Sequence, residues 1–406
     1  MTSERACNAR EAREALFASD ARAHWTLDPA LAFLNHGSFG ATPIAVMAHQ
    51  AELRARLERN PVDFFMRYLP GALDDARHAL AAFLGADPAG LAFVPNATTG
   101  VNTVLANLAP TLAPGDELLT TDHAYGACRN ALEALAARTG TRVVIARVPF
   151  PGTTPDLVVD AIRAALSPRT KLALVDHLTS PTGVVFPVER IVPLLAERGV
   201  DTLVDGAHAP GSVPLALDHL GAAYYTGNGH KWTCAPKGAA FLWVRADRRR
   251  DFHPLTISHG YARPLAPGET RFRAEFDWVG TDDPTAYLTL PFAIDFLQRL
   301  VPGGWEAIRA ANRAGALAAR SALEACLQLQ ATTDPSMLAG LASIPLPDGD
   351  APALAARLFT HDAIEVPVIP YPSPPARLLR VAWHLHTREA DLTRLVTALP
   401  SALATT

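Results

Sequence analysis

Cysteine is scarce in this 406-residue chain: there are four, Cys7, Cys128, Cys234 and Cys326, and no C-x-x-C pair among them. That scatter argues against both a zinc site and a disulfide framework. Long apolar runs are missing as well; none approaches the roughly 20 residues that a bilayer-crossing helix needs. The opening segment, MTSERACNAREAREALF, is charged and lacks the apolar core of a secretory signal, so the expected compartment is the cytoplasm. Nor is there an excess of basic charge. A formal net charge of −4 leaves no field to draw nucleic acid or an anionic membrane surface. No G-x-G-x-x-G follows the first strand of the alternating region, which removes a dinucleotide-binding reading. There is no internal repeat, and the 34 prolines punctuate turns such as 112–116 instead of forming a tract.

What is present is apolar bulk in a regular order. Hydrophobic residues make up 49% of the chain, enough for a large core, and the length points to two domains. The expected division is a helix and linker over 1–30 with Ala12, Leu16 and Phe17 apolar, a large domain over 31–290 and a small α+β domain over 291–406. A helix over 44–57 ends near Asn60-Pro61, where a new turn begins. From residue 73 the periodicities alternate: helices over 73–84, 101–108, 127–137, 155–166 and 188–197 separate strands over 91–94, 117–120, 141–148, 171–176 and 201–204. A strand over 238–244 closes the sheet. This alternation predicts an α/β fold with a mostly parallel sheet covered on both faces. Ligands of such sheets sit at the carboxyl ends of the strands. Residues 245–280 read as irregular. Helices over 288–300 and 304–328, a strand over 378–385 and a closing helix over 388–399 follow, with Thr387 as its N-cap.

The chemistry gathers in residues 200–232, VDTLVDGAHAPGSVPLALDHLGAAYYTGNGHKW. The apolar pair Leu203-Val204 ends in Asp205, and Lys231 follows 26 residues later on a polar turn after a second apolar strand. A buried strand-end carboxylate and a lysine on a later turn are the two fixed points of a pyridoxal phosphate (PLP) site. The lysine condenses with the aldehyde, and the carboxylate keeps the pyridine nitrogen protonated. His208 and His230 lie near them in sequence. The phosphate needs a cup, and Asn96-Ala97-Thr98-Thr99-Gly100 opens a helix whose free N–H groups and dipole suit a dianion. Taken singly, each feature has a plainer reading as a turn acid, a solvated lysine or a helix cap. Together they predict a cofactor site.

These residues resemble the PLP-dependent fold-type I, class V aminotransferase family, and within it the isopenicillin N epimerase-like branch, related to C–S lyases of the hercynylcysteine sulfoxide lyase kind. The resemblance spans roughly residues 30–395 and is strongest over 172–240. It implies a seven-stranded sheet, PLP as cofactor, a small amino-acid-like substrate and a homodimer. By resemblance, Ala97, Thr98, Asn228 and His230 contact the phosphate, and His123 stacks on the ring, with Tyr125 a rival stacker or acid/base group. Ser180 and His208 reach the phenolic oxygen, while Asp205 and Lys231 do the central chemistry. Arg380 clamps an α-carboxylate, although Ala382 stands where the family often has a supporting serine. Gly280-Thr281 resembles a turn that reaches the partner subunit's phosphate. Asn35, His36 and Gly37, in LNHGSFG, would lie at the substrate mouth, with Arg67 near the active site.

Residues 360–367 hold no cysteine where desulfurases of the family carry a nucleophilic one, which disfavours a persulfide route. The expected reaction is at the α-carbon of an amino acid or derivative, with Lys231 taking the α-proton. Epimerisation, C–S lysis and transamination all start this way, and epimerisation further needs a second acid/base group on the face opposite Lys231, for which His123 and Tyr125 are the candidates. A catalytically idle binding protein is the contrasting reading, disfavoured because Lys231, Asp205, His208 and Arg380 are all present.

Overall fold

The alternation of apolar side chains along each strand decides how this molecule is layered. The computed structural model describes residues 21–330 and 333–406. Its large sheet contains β1 (Leu91–Val94), β2 (Glu117–Thr121), β3 (Arg142–Ala146), β4 (Thr170–Asp176), β5 (Asp201–Asp205), β6 (Tyr224–Asn228) and β7 (Ala240–Val244). The order is β1-β7-β6-β5-β4-β2-β3. From β6 to β3 every pairing is parallel, and β7 runs against both of its neighbours. The expected α/β class and seven-stranded, mostly parallel sheet are therefore what the chain forms. The last strand in sequence is inserted between β1 and β6, not added at an edge.

Successive residues of a strand point to opposite faces. Leu118, Leu172, Leu174, Leu203, Tyr224 and Leu242 accordingly join one hydrophobic cluster. Their neighbours Leu119, Ala173, Val175, Val204, Tyr225 and Phe241 join another. Both faces are covered, so each fully buried leucine or valine contributes roughly 1.5–3 kcal/mol. Helix Ala97–Leu108 lies so close to β6 that a Cβ on Gly100 would sit 2.1 Å from Thr226 Oγ1. Only glycine fits there.

A second sheet is antiparallel, with β8 (Leu341–Leu346), β9 (Val368–Pro370) and β10 (Arg377–Ala382) in the order β9-β10-β8. Its middle strand carries Arg380 toward the large sheet. The N-terminal segment joins the same region: Ala32–Phe33 pairs in parallel with Ile364–Glu365, and Ala382 N–H donates to Leu34 O at 2.9 Å.

Several boundaries differ from expectation. The helix predicted from residue 101 begins at Ala97, because Asn96 Oδ1 accepts the Thr99 N–H at 2.8 Å and caps it. The stretch 245–280 is irregular but contains a helix, Arg271–Phe276. Thr387 is not an N-cap. Helix Glu389–Leu403 starts after Arg388, whose N–H is accepted by Asp391 at 3.0 Å, while Thr387 Oγ1 accepts the His384 N–H. The expected helix at the N-terminus falls mainly on residues 1–20, outside the described residues; Ala21–His24 form a short 3₁₀ turn. Among the described residues no helix is long and apolar enough to cross a membrane.

Candidate active site

The carboxyl ends of the parallel strands converge on a cavity of about 320 Å³. Asp176 ends β4, Asp205 ends β5, Asn228 ends β6, and all three line it together with Lys231. The volume falls within the roughly 300–1,000 Å³ of small-molecule sites.

Lys231 follows the tight connection after β6. Its Nζ lies 3.0 Å from His208 Nε2, and Trp232 Nε1 donates to His208 Nδ1 at 3.3 Å. Burial and the nearby Arg380 charge bring the Lys231 pKa down to about 8. Burial and the Lys231 charge likewise push His208 well below its usual range. The lysine loop is packed against the N-terminal mouth segment. Gly40 has φ +69°, and a Cβ there would meet His230 O at 1.9 Å. Any other residue would force the two apart.

Asp205 is buried, with its two oxygens held apart in function. Oδ1 accepts the Ala207 N–H at 2.9 Å, and Oδ2 accepts the Cys128 thiol at 3.2 Å. Beside it, in direct register, is Asp176. Burial and the Asp205 charge raise the Asp176 pKa well above the ordinary carboxylate range. The same two causes push the Cys128 thiol up, so it remains a protonated donor. Neither Asp176 nor Cys128 was picked out from the sequence. Asp176 carried a readable signal, an apolar run ending in an acid, identical in form to that of Asp205.

The helix starting at Ala97 points its first turn at the same cavity, which Ala97 and Thr98 line. Ala97 N–H donates to Asn228 Oδ1 at 2.9 Å and ties the helix to β6. Thr98 N–H has no protein partner among the described residues. His230 Nδ1 is also buried without one, and burial with the Lys231 charge takes that ring down to about 4. A neutral imidazole and a free helix-end N–H are the donor set a phosphate dianion would take.

Arg380 is 3% exposed. It donates through Nη1 to Ser180 O at 2.6 Å and Ser180 Oγ at 3.0 Å, and through Nη2 to Ser38 Oγ at 3.1 Å. Its Nε is buried and unpartnered. The hydroxyl support that Ala382 cannot give is thus supplied by Ser38 and Ser180. Ser180, expected at the phenolic oxygen, is bonded to Arg380 while still lining the cavity.

Other expected residues lie elsewhere. His123 is wholly buried behind the wall, bonded to Thr182 Oγ1 at 2.7 Å and Val148 O at 3.0 Å, with Phe186 and Tyr371 against its ring. It does not line the cavity; Tyr125, 46% exposed, does. His36 is turned inward, to His386 Nε2 at 2.9 Å and Lys231 O at 3.0 Å, and stacks on His384. Gly37 packs against Leu341, since a Cβ there would come within 2.8 Å of it. Asn35 donates to Glu365 and lines an adjoining, larger cavity of about 750 Å³. Ser38 and Phe39, not singled out from the sequence, form the wall instead, and Phe39 and Lys237 border both cavities. Arg67 is on the surface, paired with Asp63 on its own helical stretch at 3.0 Å. Thr281 is exposed in the loop before helix Thr285–Leu300, outside the cavity.

The aminotransferase class-V family model matches residues 45–368. The chain is 38% identical over 394 residues to an isopenicillin N epimerase of Amycolatopsis lactamdurans, covering 94% of this chain and 97% of that one. It is 33% identical over 383 residues to a putative L-cysteine desulfhydrase of Oryza sativa subsp. japonica, covering 89% and 78%. Among solved structures it superimposes on a lysine-to-alanine mutant of C-DES with glycine covalently linked to the PLP cofactor. The TM-score is 0.79 and the identity 25%, over 93% of this chain and 98% of that one. With a lysine, a strand-end carboxylate and a helix N-terminus sharing one cavity, and a family match over most of its length, the chain belongs to the class-V aminotransferase family of PLP-dependent enzymes.

Proposed function

We propose that this enzyme epimerises the α-carbon of an amino-acid derivative. The observation that carries the reading is the joint placement of Lys231 and Tyr125 in one cavity whose lining also holds Ser38 and Ser180, the serine partners of Arg380. When bound, PLP supplies the electron sink that makes loss of an α-proton accessible. Lys231 would hold its aldehyde, Asp205 its ring nitrogen, His208 its phenolic oxygen, and Ala97, Thr98, Asn228 and His230 its phosphate. Arg380 would orient the substrate carboxylate, its guanidinium already fixed by Ser38 and Ser180. Lys231 Nζ would take the α-proton; a lysine brought down to about 8 serves as a base near neutral pH. Epimerisation needs a second group to return a proton. Tyr125 is the cavity side chain with a suitable hydroxyl, and it lies within electrostatic reach of Arg380. The adjoining cavity gives room for a substrate larger than a free amino acid.

The enzyme is further proposed to be a homodimer in which Thr281, exposed and away from its own cavity, completes the partner's phosphate site. A C2 interface places the same turn at both sites. A second reading, C–S lysis, is favoured by the similarity to a cysteine desulfhydrase. Incubation with amino acids, peptides ending in an amino acid and cysteine conjugates in deuterated water separates the two. Deuterium at the α-carbon with loss of chirality supports the epimerase; pyruvate with a released thiol overturns it in favour of the lyase.

A further inference from the structure

Trp232 heads the fully buried side chains of the described residues by volume, yet its position next to Lys231 does more than fill space. Its Nε1–H donates to His208 Nδ1 at 3.3 Å, and His208 Nε2 is 3.0 Å from Lys231 Nζ. An indole N–H can only donate, so His208 Nδ1 must accept and carries no proton. A doubly protonated imidazole would have no lone pair to offer Trp232. A neutral imidazole with a bare Nδ1 has its proton on Nε2. That Nε2–H then points its hydrogen bond at Lys231 Nζ, which can accept only as the free amine, since an ammonium has no lone pair.

We propose that Trp232 is a positioning residue: it locks His208 in the Nε2–H tautomer, and that tautomer holds Lys231 as the free amine able to attack an aldehyde. This rests on the assignment of Lys231 as the cofactor-binding lysine. A side chain at 232 with no N–H would free Nδ1 to carry the proton. Nε2 would then become an acceptor and favour the ammonium. The charged and titratable groups acting on Lys231 are Arg380, which opposes the ammonium, and Asp205, Cys128 and Asp176, which favour it. His230 adjoins it in sequence, and His208 is itself kept neutral by burial and by the Arg380 charge. None of these is removed by replacing Trp232, so a change in Lys231 reports the tautomer.

Two measurements test this. In the full chain with ¹⁵N-labelled histidine, the His208 resonances, assigned by their loss in His208→Gln, should show a bare Nδ1 and a protonated Nε2. A protonated Nδ1 overturns the proposal whether or not a Trp232 variant folds. Next, the full chain stripped of cofactor and checked as folded by circular dichroism captures added PLP, followed by visible absorption across pH. The midpoint should rise by about one pH unit in Trp232→Phe, a roughly tenfold slower capture near neutrality. A rate that falls equally at every pH, with the midpoint unmoved, means that Trp232 only packs. The tautomer is read without cofactor, so an error in assigning Lys231 is distinguishable: it would appear as normal capture by Lys231→Ala, and would overturn the role proposed for the locked tautomer while leaving the tautomer itself measured.

Discussion

The floor of the cavity and its mouth are built by different rules. At the floor, Asp176, Asp205, Asn228 and Lys231 stand at or just after the ends of adjacent strands, where backbone pairing sets their spacing. At the mouth, residues His36–Phe39 form one helical turn. Successive side chains there rotate by about 100°, so a shift of two residues separates wall from core. Asn35, His36 and Gly37, expected at the substrate, face Glu365, the buried histidines and Leu341, whereas Ser38 and Phe39 reach the cavity. Strand-end chemistry is therefore readable position by position, while loop chemistry is readable only as a segment.

The largest effect should come from the floor. Lys231→Ala is expected to lose both turnover and the visible absorption of bound cofactor while keeping its far-ultraviolet circular dichroism; retention of that absorption would remove the floor's central residue. Asp205→Ala should keep PLP, because lysine and phosphate cup remain, but lose roughly 10²–10³ in kcat, the scale of deleting one preorganised electrostatic partner. Near-normal kcat would make the carboxylate structural. Thr281→Ala carries the comparison across the proposed subunit boundary. Loss of one charge-assisted bond to phosphate should weaken PLP binding about tenfold, read by equilibrium dialysis. Unchanged affinity would confine the floor to one chain.

The smallest effect sharpens the contrast within the mouth. Ser38→Ala removes a support of Arg380 and should raise KM about three- to tenfold with little change in kcat. His36→Phe strands the Lys231 carbonyl and His386, so it should cost roughly 1–3 kcal/mol of stability in denaturant titration without a comparable rise in KM. If the two variants exchange phenotypes, the inward orientation of His36 is wrong.

Much of the fold was legible because apolar runs such as Leu172–Val175 and Leu203-Val204 are buried on both faces, and burial is what periodicity encodes. The helix starts at Ala97, four residues before the position its periodicity predicts, because the cap from Asn96 outweighs the poor helix propensity of Thr-Thr-Gly. His123 illustrates a different limit. Its chain position at the end of β2 is right for a ligand contact, but Thr182 and Val148, far away in sequence, take both ring nitrogens and hold it behind the wall. Trp232 had no distinguishing local signal; its importance arises from the fold bringing His208 Nδ1 to its N–H.

Two lysines line the cavity, Lys231 and Lys237, and the account depends on which one the cofactor joins. Borohydride reduction of the holoenzyme, followed by peptide mapping by mass spectrometry, fixes the pyridoxyl group to its residue. The account predicts the label on Lys231 alone. A label on Lys237 would contradict it, together with the roles built on His208 and Trp232.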